Sequence, residues 1–371
     1  MNRNPLGMAA LCGAAAALSS GALAQTDAPA GVDTARLLTQ VYMVASQAFS
    51  GGALTLTTDD DSQQIEIQTG PQPGFVKVIG VDGASAEYSG VTSIDLTTGA
   101  GQDYVEFRIF GPIVPNILVN TGTNNSDVKL IYQIPYTTVP VSTMVSVIGA
   151  DQNDKVAFEV LNSVETLIAD WSVAHGNGAN ETKVLVDTPE GTTLTSIALS
   201  TLSGAGKDKL DAAFKSGAAT VDLEIDASLG NNSDSSIISV TEQEAGFTRL
   251  AVNIDLGRGL DVSEIITVLN GGTTTQTGVV KGGGGDDFLK MLQEGDGSNS
   301  IVLNSGGGDD YIDMEFKGAV TGSPKQRAAA GDDFLKLVAT QPGLMSPLMD
   351  GGPGFDVAHG FGAIINVEDF D

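Results

Sequence analysis

VVKGGGGDDFLKML (279–292) and IVLNSGGGDDYIDM (301–314) are two copies of one phrase: alternating apolar residues, a glycine-rich turn, paired aspartates, then apolar residues again. Alternation sends successive side chains to opposite faces of an extended strand, so one face is buried and one is wet. Glycines between such runs mark a turn. Outward from this pair, clear copies stand at SIDLTTGAGQDYVEF (93–107) and NIDLGRGLDVSEI (253–265). Weaker copies are VSVIGADQNDKVAF (145–158), TLSGAGKDKLDAAF (201–214), AAAGDDFLKLV (328–338) and MDGGPGFDVAHGF (349–361). The most degenerate are NTGTNNSDVKL (120–130), HGNGANETKVLV (175–186) and LGNNSDSSIIS (229–239).

The acids that anchor these copies are Asp103, Asp127, Asp154, Glu181, Asp208, Asp234, Asp261, Asp287, Asp310, Asp333 and Asp356, which recur at nearly even intervals. Glu181 is assigned by the spacing alone. Apolar residues precede the anchors at fixed offsets (Ile94/Leu96, Val145/Val147, Val252/Ile254, Ile301/Leu303), and another follows two positions after (Val105, Val156, Leu210, Leu289, Ile312, Leu335). A unit of this size cannot bury its apolar face alone, so units must stack. The expected fold is therefore all-β: a right-handed parallel β-helix, or β-solenoid, with coils of about 23–27 residues. The hand follows from the strong preference of parallel crossovers.

The chain organisation follows from that reading. Residues 1–24 read as a secretory signal peptide, with Arg3, an apolar Ala-rich run and an A-x-A site at Ala22-Leu23-Ala24. Its removal would take away the only cysteine, Cys12, leaving an exported chain with no disulfide. Residues 25–52 form an N-terminal segment, in which Leu37, Leu38, Val41, Tyr42, Ala45, Ala48 and Phe49 recur at helical spacing. A capping helix over 33–49 is expected to cover the first coil. Residues 53–371 are read as a single solenoid domain, and 52–70 and 75–94 as one or two coils ahead of Asp103. Export by the Sec route implies an extracellular or cell-surface protein, or one retained in the periplasm.

Composition limits the partners. Of 371 residues, 46 are acidic and 18 basic, a formal charge of −28, and only 5% are aromatic. Such a chain repels phosphate backbones, so nucleic acid is not an expected partner, and it attracts cations. No segment reaches the ~18 uninterrupted apolar residues that span a bilayer. A polysaccharide lyase or glycoside hydrolase on a parallel β-helix is the alternative reading. Against it, the chain has few bases, one tryptophan (Trp171) and coils too uniform to build a cleft, and it carries no catalytic motif. An enzyme is the less favoured class.

GGGGDDFLK (282–290) fits the nonapeptide G-G-x-G-x-D-x-U-x at Gly282, Gly283, Gly285, Asp287 and Leu289. SGGGDDYID (305–313), AAAGDDFLK (328–336) and GGPGFDVAH (351–359) follow in phase. Over about 280–360 these residues resemble the haemolysin-type (RTX) calcium-binding repeats, and more weakly back to 93. The resemblance implies Ca²⁺ held at turns by Gly283, Gly285, Asp286 and Asp287; by Gly306, Gly308, Asp309 and Asp310; by Gly331, Asp332 and Asp333; and by Gly352, Gly354 and Asp356. Three departures stand beside it: each coil has one motif rather than two, each coil is longer than a pair of tandem nonapeptides, and the export signal is N-terminal. The competing reading is that each Asp simply accepts hydrogen bonds from turn N–H groups. Turns before 280 have fewer glycines, with Lys207 and Arg258 beside their aspartates, and are read as structural. With calcium as the ion, the sequence points to a structural, surface or adhesion protein that contacts extracellular polysaccharide or other surface components.

Overall fold

Parallel strands whose side chains alternate in and out can close a core only by facing a second sheet, and two strands per coil accomplish this. The computed structural model describes residues 46–370 apart from 81–84, 136, 162–164, 190 and 244–245, all within the unit Thr39–Asp371. The signal segment 1–24 and most of the expected capping helix lie outside the described residues. One stack of parallel strands runs from Ala53–Thr57 through Ser93–Thr97, Asn116–Asn120, Val141–Ile148, Thr166–Ala174 and onward. The other runs from Gln64–Thr69 through Tyr104–Ile109, Asp127–Tyr132, Lys155–Val160, Glu181–Thr188 and onward. Each coil is one strand of each stack, joined by a glycine/aspartate turn on one side and a corner on the other. The β-solenoid is therefore the observed architecture, with about ten turns.

Register fixes the repeat. In the carboxy-terminal coils Phe288 pairs with Tyr311 and Tyr311 with Phe334, circuits as short as the one from Tyr104 to Asp127 near the amino terminus. In the middle Lys209 pairs with Ser235 and Ser235 with Val262, and earlier Asp127 pairs with Lys155, each a longer circuit. The middle coils are thus the widest, and they tighten again toward the carboxy terminus, where the turns are richest in glycine. The periodic apolar residues all face inward: Ile94, Leu96, Val145, Val147, Val252, Ile254, Ile301 and Leu303, with Val105, Val156, Leu210, Leu289, Ile312 and Leu335, are buried. The largest fully buried side chain, Trp171, stacks on Phe158 with centroids 4.5 Å apart and is flanked by Tyr132 at 5.9 Å.

The amino-terminal end differs from expectation. We number its strands β1 (Ser46–Ser50), β2 (Ala53–Thr57), β3 (Gln64–Thr69), β4 (Val76–Gly80) and β5 (Ser85–Tyr88). Ser46–Phe49, expected as the end of a helix, form β1, which pairs antiparallel with β2 across a turn at Gly51 and Gly52, both at positive φ. Strand β4 pairs antiparallel with β3, and β5 with β4. Residues 75–94 therefore supply no full coil. The chain makes one long excursion between β3 and its parallel neighbour Tyr104–Ile109. The physical reason is that the first coil's edges present unpaired N–H and C=O groups, which a strand satisfies and a helix does not. Phe49 and Tyr88, 5.8 Å apart, close the seam between β1 and β5.

Replacing Trp171 by Ala removes an indole with no solvent exposure and leaves a cavity between neighbouring coils. The expected loss is about 3–5 kcal/mol, read as a lower denaturation midpoint in urea.

Candidate functional site

A turn that repeats at every coil must satisfy its backbone against the turn above and below. In this chain one inward residue in nearly every turn does so with its side chain. The Oδ1 atoms of Asp103, Asp154, Asn180, Asp208, Asp234, Asp261, Asp287, Asp310, Asp333 and Asp356 accept backbone N–H groups from the preceding coil. The donors are, in turn, Gln63, Ser126, Asp154, Asn180, Asp208, Asp234, Asp261, Asp287, Asp310 and Asp333, at 2.7–3.0 Å. The ladder ends where Asp356 N–H donates to Glu368 Oε2. It is broken at Ser126, whose hydroxyl is short and turns to Asn124 O at 3.3 Å.

Two anchors expected from spacing are displaced by one residue. Ser126 and Asn180, both buried, occupy the inner column in place of Asp127 and Glu181. The outward residue Glu181 instead pairs with Lys209 at 3.5 Å. Asparagine accepts through Oδ1 as aspartate does, so an Asp-only search passes over it. The signal that could have found it is the register with Asp208, in which Asn180 rather than Glu181 is the in-phase polar residue.

A second ladder runs along the exposed side, in the opposite sense. Asp286 Oδ1 accepts from Asp309 N–H, Asp309 from Asp332 N–H, and Asp332 from Phe355 N–H, each at 2.9 Å. The paired aspartates of the sequence are thus one inward and one outward carboxylate. Glycine is needed beside them. Gly283, Gly285, Gly306, Gly308, Gly331 and Gly352 have φ between +91° and +151°. A Cβ on any of them, or on Gly354, would strike a carbonyl oxygen of the preceding coil. The turns also bond directly: Gly285 N–H to Gly307 O and Gly308 N–H to Ala330 O, both 2.8 Å, and Gly331 N–H to Pro353 O, 3.2 Å.

The electrostatic tension lies at the second carboxylate oxygen. Where the inner residue is Asn180, its Nδ2 donates to Gly176 O at 3.1 Å and Gly178 O at 3.2 Å. Two turn carbonyls thus converge on that position. In the aspartates of the column the second branch of the side chain ends in Oδ2, an acceptor, where Asn180 has a donor. The Oδ2 atoms of Asp103, Asp208, Asp234, Asp261, Asp287, Asp310, Asp333 and Asp356 are buried with no hydrogen-bond partner among the described residues. Burial is the main cause that raises their pKa, opposed by the ladder N–H groups and, at Asp310, first by the nearby Ser305 hydroxyl: to about 6 at Asp208 and Asp261, to about 7 at Asp234, Asp287 and Asp333, and upward at Asp310 and Asp356. Neighbouring aspartates add to the rise at Asp234, Asp287 and Asp333. The four terminal turns share this geometry with the earlier ones, so the inner ladder does not separate them.

Among the described residues no three His, Cys, Asp or Glu side chains gather into a metal-binding group. Any cation at these turns would draw on one buried carboxylate and main-chain oxygens. His175, buried and bonded through Nε2 to Thr182 Oγ1 at 2.9 Å, has its pKa pulled down to about 4 by burial. Asp59 and Asp60 serve the first turn: Asp59 Oδ1 accepts Asp61 N–H, and Asp60 Oδ1 accepts Ala100 N–H. One carboxylate pair, Glu66 and Glu106, sits in a groove with Tyr104 and Arg108. Arg108 pairs with both acids. Bonds from Tyr104 and Arg108 hold Glu106 below the usual range despite burial, and burial with the Glu106 bond pushes Tyr104 up to about 12. Neither is poised to exchange a proton near neutrality.

Comparison with known proteins finds no matching family model, no matching curated protein and no matching solved structure. No helix among the described residues is long and apolar enough to cross a membrane.

The inner column makes stability pH-dependent in a direction opposite to that of salt-bridged carboxylates. A raised pKa means the folded state holds the proton more tightly than the unfolded chain, whose aspartates titrate at ~3.9. That stabilisation is complete below about pH 4 and is lost as pH rises through about 6 to 7 at Asp208, Asp234 and Asp261. In EDTA the melting temperature should be higher at pH 5 than at pH 8. Asp208→Asn with Asp234→Asn, which supply the amide seen at Asn180, should flatten that slope.

Proposed function

We propose that this chain is an exported, acidic β-solenoid that binds calcium through its glycine/aspartate turns and serves as a structural, surface or adhesion protein. The observation that carries this reading is the contrast between Asn180 and the aspartates. An amide N–H₂ bridges to two turn carbonyls in one coil, whereas the second carboxylate oxygen of Asp103, Asp208, Asp234, Asp261, Asp287, Asp310, Asp333 and Asp356 is buried with no hydrogen-bond partner among the described residues. A proton or a cation would satisfy that oxygen. At neutral pH in a calcium-rich extracellular medium, the cation is the favoured partner.

The donor chemistry suits a hard ion. Ca²⁺ takes six to eight oxygens at about 2.4 Å, from carboxylates and carbonyls. By equivalence with Asn180, Asp287 would share an ion with Gly283 O and Gly285 O, Asp310 with Gly306 O and Gly308 O, Asp333 with Gly331 O, and Asp356 with Gly352 O and Gly354 O. Asp286, Asp309 and Asp332 would add negative charge at the rim. Bound calcium would neutralise carboxylates that otherwise repel along the stack. The outward strand faces, patterned with inter-coil ion pairs such as Arg249–Asp222 and Lys336–Asp313, would form the contact surface.

The experiment compares wild type with Asp287→Asn/Asp310→Asn/Asp333→Asn at pH 8. Wild type should bind Ca²⁺ calorimetrically and gain melting temperature relative to EDTA. The triple variant should melt higher than wild type in EDTA, because each amide donates as Asn180 does, and should gain little from calcium. Equal responses of both proteins to calcium would sink the assignment.

A further inference from the structure

Sixteen lysines and arginines fall among the described residues, and ten of them make ion pairs, several with an acid in register on the next coil: Lys209 with Glu181, Lys215 with Asp187, Arg249 with Asp222, Lys281 with Asp255, Lys290 with Glu264 and Lys336 with Asp313. Two bases on the turn edge are placed differently. Lys207 and Arg258 are exposed and make no ion pair or hydrogen bond through their side chains among the described residues. Their neighbours in register are neutral. Arg258 bridges between Asn231 and Gly284, and Lys207 lies level with Ala179 and Ser233.

These two bases flank an open groove across the turns, lined also by Asn231, Asn232, Ser233 and Leu260. Lys207 and Arg258 sit two coils apart, about 10 Å along the stack. The coil between them contributes Asn231 and Asn232, both exposed, whose amides make no hydrogen bond among the described residues. Leu260, 60% exposed, adds an apolar surface beside them. The groove thus combines two uncommitted cations, two uncommitted amides, a hydroxyl and one aliphatic side chain.

We propose that this groove binds an acidic polysaccharide, with Lys207 and Arg258 each receiving a carboxylate or sulfate and Asn231 and Asn232 bonding to sugar hydroxyls. Charge density selects this class. The molecule carries −28 overall, and Asp286 begins the acidic edge in the next coil beyond Leu260, so a polymer with a phosphate at every step is repelled. A ligand with sparse anionic groups separated by neutral hydroxyl-bearing units matches two cations with amides between them. Arg presents a planar fork that suits carboxylate and sulfate, and Lys a mobile point charge. The inference needs no bound calcium, although Gly284 and Gly285 of the first terminal turn form one wall of the groove.

The probes are a tetramer of galacturonic acid, the same tetramer fully methyl-esterified, and sodium sulfate, each titrated calorimetrically into the full chain in EDTA at low salt. The acidic tetramer should bind, more weakly at high salt, and the ester should not. Lys207→Ala/Arg258→Ala should weaken the acidic tetramer at least tenfold. Lys325→Ala/Arg327→Ala, which removes the same charge elsewhere, should change it less than twofold. Circular dichroism of both variants controls for folding. Three results overturn the proposal: no binding of the acidic tetramer to wild type, equal losses in the two double variants, or sulfate bound as tightly as the tetramer. Calcium binding measured on the same proteins without EDTA is expected to survive Lys207→Ala/Arg258→Ala, which keeps the two readings separable.

Discussion

Everything in this molecule depends on one hydrogen bond repeated between coils, from the backbone N–H of one turn to the side-chain oxygen of an inward Asp or Asn in the next. The strands contribute main-chain ladders, but strands alone leave register free to slip wherever side chains are interchangeable. The side-chain rung fixes where each turn sits over its neighbour. It also brings the turns so close that Gly283, Gly285, Gly306 and Gly308 have no room for a Cβ. The rung therefore dictates the glycines, whose Cα atoms lie against the carbonyl oxygens of the preceding coil.

The same rung carries a cost that the chain places at its rim. A carboxylate that accepts one N–H retains a second oxygen that needs a donor, a proton or an ion. Asn180 shows the neutral solution, and Asp154 a partial one, with Oδ2 accepting Ala150 N–H at 3.2 Å. Most coils hold aspartate at this position, and among the described residues Asn180 alone closes it with an amide.

Much of this was legible in the residues. Period-two alternation and the recurring Asp fixed the coil, the inward positions and the place of each turn, because burial and close approach leave few residue types that fit. What stayed hidden had physical reasons. Ser126 and Asn180 hold the column without being acids, and the outward neighbours Asp127 and Glu181 imitate it one residue away. The helical spacing of Leu37 to Phe49 is equally compatible with alternation at its end, and the need to pair the edge of β2 decides for a strand at Ser46–Ser50. The equivalence of early and late turns could not be read from glycine content, since the inner ladder tolerates Ala, Asn and Ser at several turn positions.

The antiparallel strands at the amino-terminal end have a consequence for assembly. Strands β1, β4 and β5 are neighbours in sequence of the strands they cover, so the first coil can be completed from local chain alone. Each later coil then meets an already formed face displaying a full row of donors and acceptors, and needs only its own short stretch of chain to dock. Once Tyr104–Ile109 has closed the long first excursion, a chain delivered amino terminus first can therefore be laid down vectorially, each turn templated by its predecessor, with loop closure no longer than a single circuit.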